Sequence, residues 1–123
     1  MTKAEQAPLH QAMIDRLTQI YRSVHADMDA TRVASLFDRE PHDVGDDSVR
    51  DTEVDFTADL DERDRTLAHQ IQDALVRMRD GSYGKCIDCD DEIPLERLRA
   101  IPWAERCAKD QAAREQGQHH STL

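Results

Sequence analysis

Residues 81–116 read GSYGKCIDCDDEIPLERLRAIPWAERCAKDQAAREQ, and the placing of three cysteines in this stretch decides how the chain is read. Cys86 and Cys89 form a C-x2-C knuckle, and Cys107 follows after seventeen intervening residues. Two thiolates from one tight loop reach the same metal, and a second knuckle after such a gap closes a tetrahedral zinc site. Asp110 stands where a fourth cysteine would complete the pattern. Zinc accepts a carboxylate oxygen at about 2.0–2.2 Å, so three thiolates and Asp110 make a ligand set, weaker and more exchangeable than four cysteines. Two other readings stay open. In one, the finger has lost its metal and is held by Ile87, Ile93, Leu95, Leu98, Ile101 and Trp103, leaving three free thiols. In the other, C-x-x-C is a redox pair, although the βαβ pattern of a thioredoxin fold is absent.

Upstream, apolar residues recur at helical spacing through Leu9, Met13, Leu17, Ile20, Val24 and Met28, with no Gly or Pro between Leu9 and Glu40. This pattern predicts one helix over about residues 9–38, roughly 45 Å long at 1.5 Å per residue, which needs a partner along its length. Pro41 and Gly45 mark a turn over about 39–47. A second helix is predicted over about 48–80, started by Asp46, Asp47 or Ser48 as N-cap and stopped by Gly81. Its inward positions step through Thr57, Leu60, Asp64, Leu67, Ile71, Ala74 and Met78. Two such stripes joined by a turn predict an antiparallel hairpin; periodicity alone leaves open a hairpin used only for dimerisation, while one that satisfies its own seam predicts a monomer. The fold class expected is mainly α: a long antiparallel coiled-coil hairpin (1–80) joined to a small zinc-finger-like globular domain with a C-terminal helix from about Ala104 (81–116), then a flexible tail (117–123).

Composition narrows the function. The mean hydropathy of -0.78 and 38% hydrophobic content leave little for a thick enzyme core. There is no Ser/His/Asp order, Gly-rich phosphate loop or H-E-x-x-H helix, and the six histidines sit singly or in a polar tail, so no enzyme is expected. A net charge of -10 opposes direct DNA binding, which needs a basic face. Residues 38–64 hold twelve acids against three bases, so the turn region carries nearly all of that charge. No apolar run is long enough to span a bilayer and residues 1–10 lack a secretory layout, so the expected compartment is the cytoplasm, where thiols serve metals more often than bridges.

The segments YGKCIDC (83–89), EIPLERLRAIPWAERC (92–107) and IQDALVRMRDGSYG (71–84) resemble the DksA/TraR family of zinc-finger transcription regulators, over roughly residues 65–116. The resemblance implies binding in the secondary channel of RNA polymerase, with the coiled-coil tip near the active site. It further implies altered open-complex stability and stringent-response control of stable-RNA and stress promoters. The family tip motif, D-x-x-D-x-A, falls on Asp43, Asp46 and Ser48, with Asp47 a competing carboxylate and a hydroxyl in place of the small apolar residue. Basic positions that hold ppGpp against polymerase in responsive members fall on Gln70, Ile101 and Gln111, none of them basic, with Arg65, Arg99 and Arg106 nearby. Cooperation with ppGpp is therefore not expected in the usual geometry. The alternative is a metal- or thiol-responsive interaction module of the same fold that no longer acts on polymerase.

Overall fold

The structure, a computed structural model, describes residues 1–37 and 57–121, with side chains as far as residue 116. It is mainly α-helical. Among the described residues the helices are α1 (Lys3–Arg22), α2 (Ala30–Ser35), α3 (Glu62–Asp80), α4 (Leu95–Ala100) and α5 (Ala108–Ser121). The β pairing among them is a single antiparallel bridge, Lys85 to Glu92. The tip residues Asp43, Asp46, Asp47 and Ser48 and the turn itself lie outside the described residues.

The first helix departs from expectation at both ends. It starts at Lys3 because Thr2 and Glu5 form a reciprocal capping box: the Thr2 hydroxyl accepts from the Glu5 amide at 3.1 Å, and the Glu5 carboxylate accepts from the Thr2 amide at 2.9 Å. This nucleus tolerates Pro8 inside the helix. The helix does not run on to residue 38. The Ser23 hydroxyl donates to the Ile20 carbonyl, Arg22 Nε reaches the Met28 carbonyl at 2.6 Å, and Asp29 caps a new helix by accepting from the Arg32 amide at 2.8 Å. Short polar side chains thus offer the backbone local partners that compete with helix continuation. Met28 is still buried on the returning chain, whereas Val24 is exposed.

The helix expected from 48 to 80 is also interrupted. Asp61 caps α3 by accepting from the Asp64 amide at 2.8 Å, so this helix begins at Glu62. Arg65 folds back over the preceding turn and donates to the carbonyls of Thr57, Ala58 and Leu60. The buried stripe of α3 is Ala68, Ile71, Gln72, Ala74 and Leu75, while Leu67 and Met78 sit at its edge, half-buried. Gly81 ends the helix as expected, in the left-handed conformation (φ 89°) that glycine adopts without a Cβ penalty.

Helix α1 packs against α3. Tyr21 meets Gln72, and Lys3, Gln6, Ala7 and His10 share a cleft with Leu75, Met78 and Arg79. This order is the opposed one a hairpin requires. One continuous core runs from Leu9, Met13, Leu17 and Ile71 into Tyr83, Cys86, Ile93, Leu98 and Ala104, so the finger is built onto the helix pair. The C-terminal helix starts at Ala108 rather than near Ala104, and its backbone continues to Ser121, through most of the segment expected as a flexible tail.

Candidate metal centre

The first knuckle is a tight loop closed on itself. The Cys86 amide donates to the Asp91 carbonyl at 2.8 Å and the Asp90 amide to the Cys86 carbonyl at 2.9 Å. Asp90 sits at φ 63°, a left-handed position that Asp tolerates better than most residues. Gly84, at φ 90°, lets the chain turn into the knuckle, and its carbonyl accepts from the Ile93 amide at 2.7 Å. The second knuckle is the start of α5: Cys107 precedes the helix, its carbonyl accepting from the Gln111 amide, and Asp110 lies in the first turn. A spacing of three residues there puts both side chains on one face.

The structure brings Cys86, Cys89, Cys107 and Asp110 together, as the spacing predicts. Tetrahedral zinc with sulphur at about 2.3 Å sets ligand edges near about 3.8 Å, and the four donor atoms all lie within 4.8 Å of one another, a contraction of about 1 Å at most. Cys86 is buried, Cys107 and Asp110 are half-buried, and Cys89 is exposed. Burial opposes ionisation of Cys86, but backbone amides of Cys107, Asp88 and Cys89 directed at its sulphur outweigh it and hold the thiol below its usual range. The Asp110 carboxylate pushes the Cys89 thiol up to about 12. Hydrogen bonds from Cys89, Cys86 and Cys107 in turn hold Asp110 below the usual carboxylate range. The Cys86 thiol is 3.1 Å from Asp110 Oδ2. This carboxylate therefore points into the cage among the sulphurs, which is the chemistry a fourth ligand requires. All four side chains would hold zinc, and zinc there would be structural, because four protein donors leave no open coordination position.

Comparison with known proteins agrees. Residues 81–116 match the family described as prokaryotic dksA/traR C4-type zinc finger. The finger, residues 81–116, is of the dksA/traR type. Among curated relatives, general stress protein 16O of Bacillus subtilis is 42% identical over 64 residues, 52% of this chain and 38% of that protein. The RNA polymerase-binding transcription factor DksA of Caulobacter vibrioides is 44% identical over 55 residues, 43% of this chain and 39% of its own length. DksA of Buchnera aphidicola (subsp. Schizaphis graminum) is 39% identical over 57 residues, 45% of this chain and 38% of its own length. The chain thus spans under two-fifths of the length of these relatives. No solved structure matches.

Beside the finger, Gln70, Ile101 and Gln111 line one groove of about 750 Å³, with Arg97, Arg106 and Arg114 among its other walls. The three positions that the DksA/TraR resemblance singles out do converge, and they converge without a charge. Of the nearby bases, Arg65 is engaged with three carbonyls and Arg106 with Asp88 and Glu105. Among the described residues no helix is long and apolar enough to cross a membrane.

Sequence reasoning missed the charged residues around the cage. Arg106 donates to Asp88 at 2.7 Å and to Glu105 at 2.7 Å, and Glu105 approaches Arg77 of α3 at 4.0 Å. The signal available was slight: charged side chains beside or between metal-spaced cysteines. Tyr83, quoted only as part of the family motif, places its hydroxyl 2.7 Å from the Pro102 carbonyl and ties the first knuckle to the loop before the second.

Proposed function

We propose that this protein is a cytoplasmic transcription regulator that binds RNA polymerase through its secondary channel and sets an acidic coiled-coil tip near the active site to modulate initiation. One observation carries the reading: the 55-residue match to a protein named RNA polymerase-binding transcription factor DksA is longer than the finger, residues 81–116. The acidic block at 38–64 supports it, since carboxylates presented at the end of a helical rod can pair with basic residues of a channel or act on a metal-bound centre without touching DNA. Asp43 and Asp46, with Asp47 and Ser48, are the tip residues in this reading. The uncharged groove positions Gln70, Ile101 and Gln111 support action without ppGpp. The protein works as a monomer.

The test is capture of core polymerase by tagged protein. Binding that is lost with Asp43→Asn plus Asp46→Asn, and kept with Asp15→Asn, supports the tip mechanism. Equal binding by both variants rejects it. A second reading, a metal-responsive module that no longer acts on polymerase, is favoured by the carboxylate in the cage. It requires a fully zinc-loaded wild type that captures no polymerase.

A further inference from the structure

The two halves of the cage come from distant segments. Cys86 and Cys89 belong to one loop, and Cys107 and Asp110 to the start of α5. Zinc would join these halves, and beyond the contacts among the cage residues themselves the chain links them at two further places. The Ile87 amide donates to the Glu105 carbonyl at 2.9 Å. Arg106 Nε donates to Asp88 Oδ2 at 2.7 Å. Asp88 lies between the two cysteines of the first knuckle, and Arg106 immediately precedes the cysteine of the second.

The burial of the two partners differs. The Arg106 side chain is 9% exposed, whereas Asp88 is 47% exposed. A guanidinium taken out of water is tolerated only where carboxylates and carbonyls compensate it. Arg106 finds this at one place, the seam between the knuckles, with Asp88 on one side and its neighbour Glu105 on the other. The Arg106 carbonyl is held as well, accepting from Arg97 Nε at 3.0 Å, so its backbone is fixed from α4 while its side chain reaches across. Moving the knuckles apart strips a buried charge of one of its two carboxylates.

We propose that the Asp88–Arg106 pair is a latch that positions the two halves of the metal cage, so that the rate of zinc release is set by this pair as well as by the ligands. The inference rests on the zinc assignment and not on the polymerase reading. Both residues are positioning residues, since neither side chain is among the four that would ligate the metal. Partners outside the ligand sphere typically change metal affinity by about 10- to 100-fold, and a cage that contains one carboxylate among thiolates has the more to gain from being held closed.

The experiment follows zinc transfer from the full-length protein to a chromogenic chelator. Asp88→Asn and Arg106→Gln each release zinc about 10- to 100-fold faster than wild type, and the double variant is no faster than the quicker single one. Asp88→Glu, which keeps a carboxylate, stays close to wild type. Cobalt-loaded Asp88→Asn retains the wild-type thiolate-to-metal charge-transfer band, showing that the donors are unchanged. Because Asp88 is nearly half exposed, its replacement leaves the finger's packing intact even where Arg106→Gln fails to fold. Release from Asp88→Asn within about twofold of wild type, or effects of the two substitutions that add, overturns the latch. A wild type that takes up neither zinc nor cobalt overturns the metal assignment and the latch together.

Discussion

Gln72 of α3 donates its side-chain amide to the hydroxyl of Tyr21 of α1, and both residues are almost wholly buried, at 3% and 0% exposure. An apolar pair at this place would let the helices slide by a turn with little penalty. A polar pair that must find its partner fixes the register of one helix on the other. The contact sits where α1 is about to end, just before the chain turns away toward Met28.

Tyr21→Phe is therefore expected to destabilise the protein by about 1–3 kcal/mol, the penalty for leaving the Gln72 amide buried with its Tyr21 partner removed. Gln72→Leu should cost less in the Tyr21→Phe background than in wild type, because the bond between the two side chains is already gone. Urea melts of the two single variants and the double variant make the thermodynamic cycle. Additive effects would show that the two side chains do not interact.

Tyr83 adds a dependence on alkaline pH. Burial pushes its phenol up to about 12 from an ordinary value near about 10, against the opposing charge of Arg77. The unfolded chain then loses the phenolic proton first as pH rises, so folding stability from this group is complete below about pH 10 and is lost progressively up to about 12. Tyr83→Phe is expected to melt lower at pH 7, by about 1 kcal/mol for the lost bond to Pro102, and to show a flatter fall in stability between about pH 10 and 12 than wild type. Thermal melts across that range check it.

The cage was legible in the sequence because metal spacing is a local property: Cys86, Cys89, Cys107 and Asp110 could be named by counting, and the structure gathers all four. The buried face of α1 was legible for the same reason, since Met13, Leu17 and Ile20 follow helical spacing. The break after Arg22 was not. Val24 and Met28 continue the apolar period although the backbone has left the helix, and what ends it is hydrogen bonding by Ser23, Arg22 and Asp29, to which periodicity is blind. The Asp88–Arg106 pair was illegible because nothing in the spacing of two charged residues says which will be buried.

Arg65 should control the entry to α3. Its guanidinium serves the carbonyls of Thr57, Ala58 and Leu60 in the turn before the Asp61 cap, the first of which also accepts from the Leu60 amide. Arg65→Met keeps the apolar stem and removes all three bonds, with an expected loss of about 2 kcal/mol. Hydrogen exchange should quicken at the amides of Leu60 and Arg65, and stay unchanged at those of Ser82 and Tyr83, which bond to the Arg77 carbonyl at the far end of the helix. Uniform quickening along α3 would mean that the turn has no separate stability.

Asp110 offers the sharpest test of the metal centre, because the same position can be strengthened or emptied. Asp110→Cys supplies a fourth thiolate, the softer donor zinc prefers, and should tighten zinc by on the order of tenfold, equivalent to about 1.4 kcal/mol. Asp110→Ala leaves three thiolates and should weaken it by at least as much. Metal that binds the folded finger stabilises it by about 4 kcal/mol when present at a thousand times its dissociation constant. Excess chelator should therefore lower the melting temperature of wild type, lower that of Asp110→Cys only at higher chelator concentration, and change that of Asp110→Ala least. Proton competition gives a further check: zinc needs the thiolates, so affinity in all three proteins should rise with pH. If Asp110→Ala retained zinc as tightly as wild type, the carboxylate seen among the three sulphurs would be a hydrogen-bond acceptor of the metal-free finger and not a ligand.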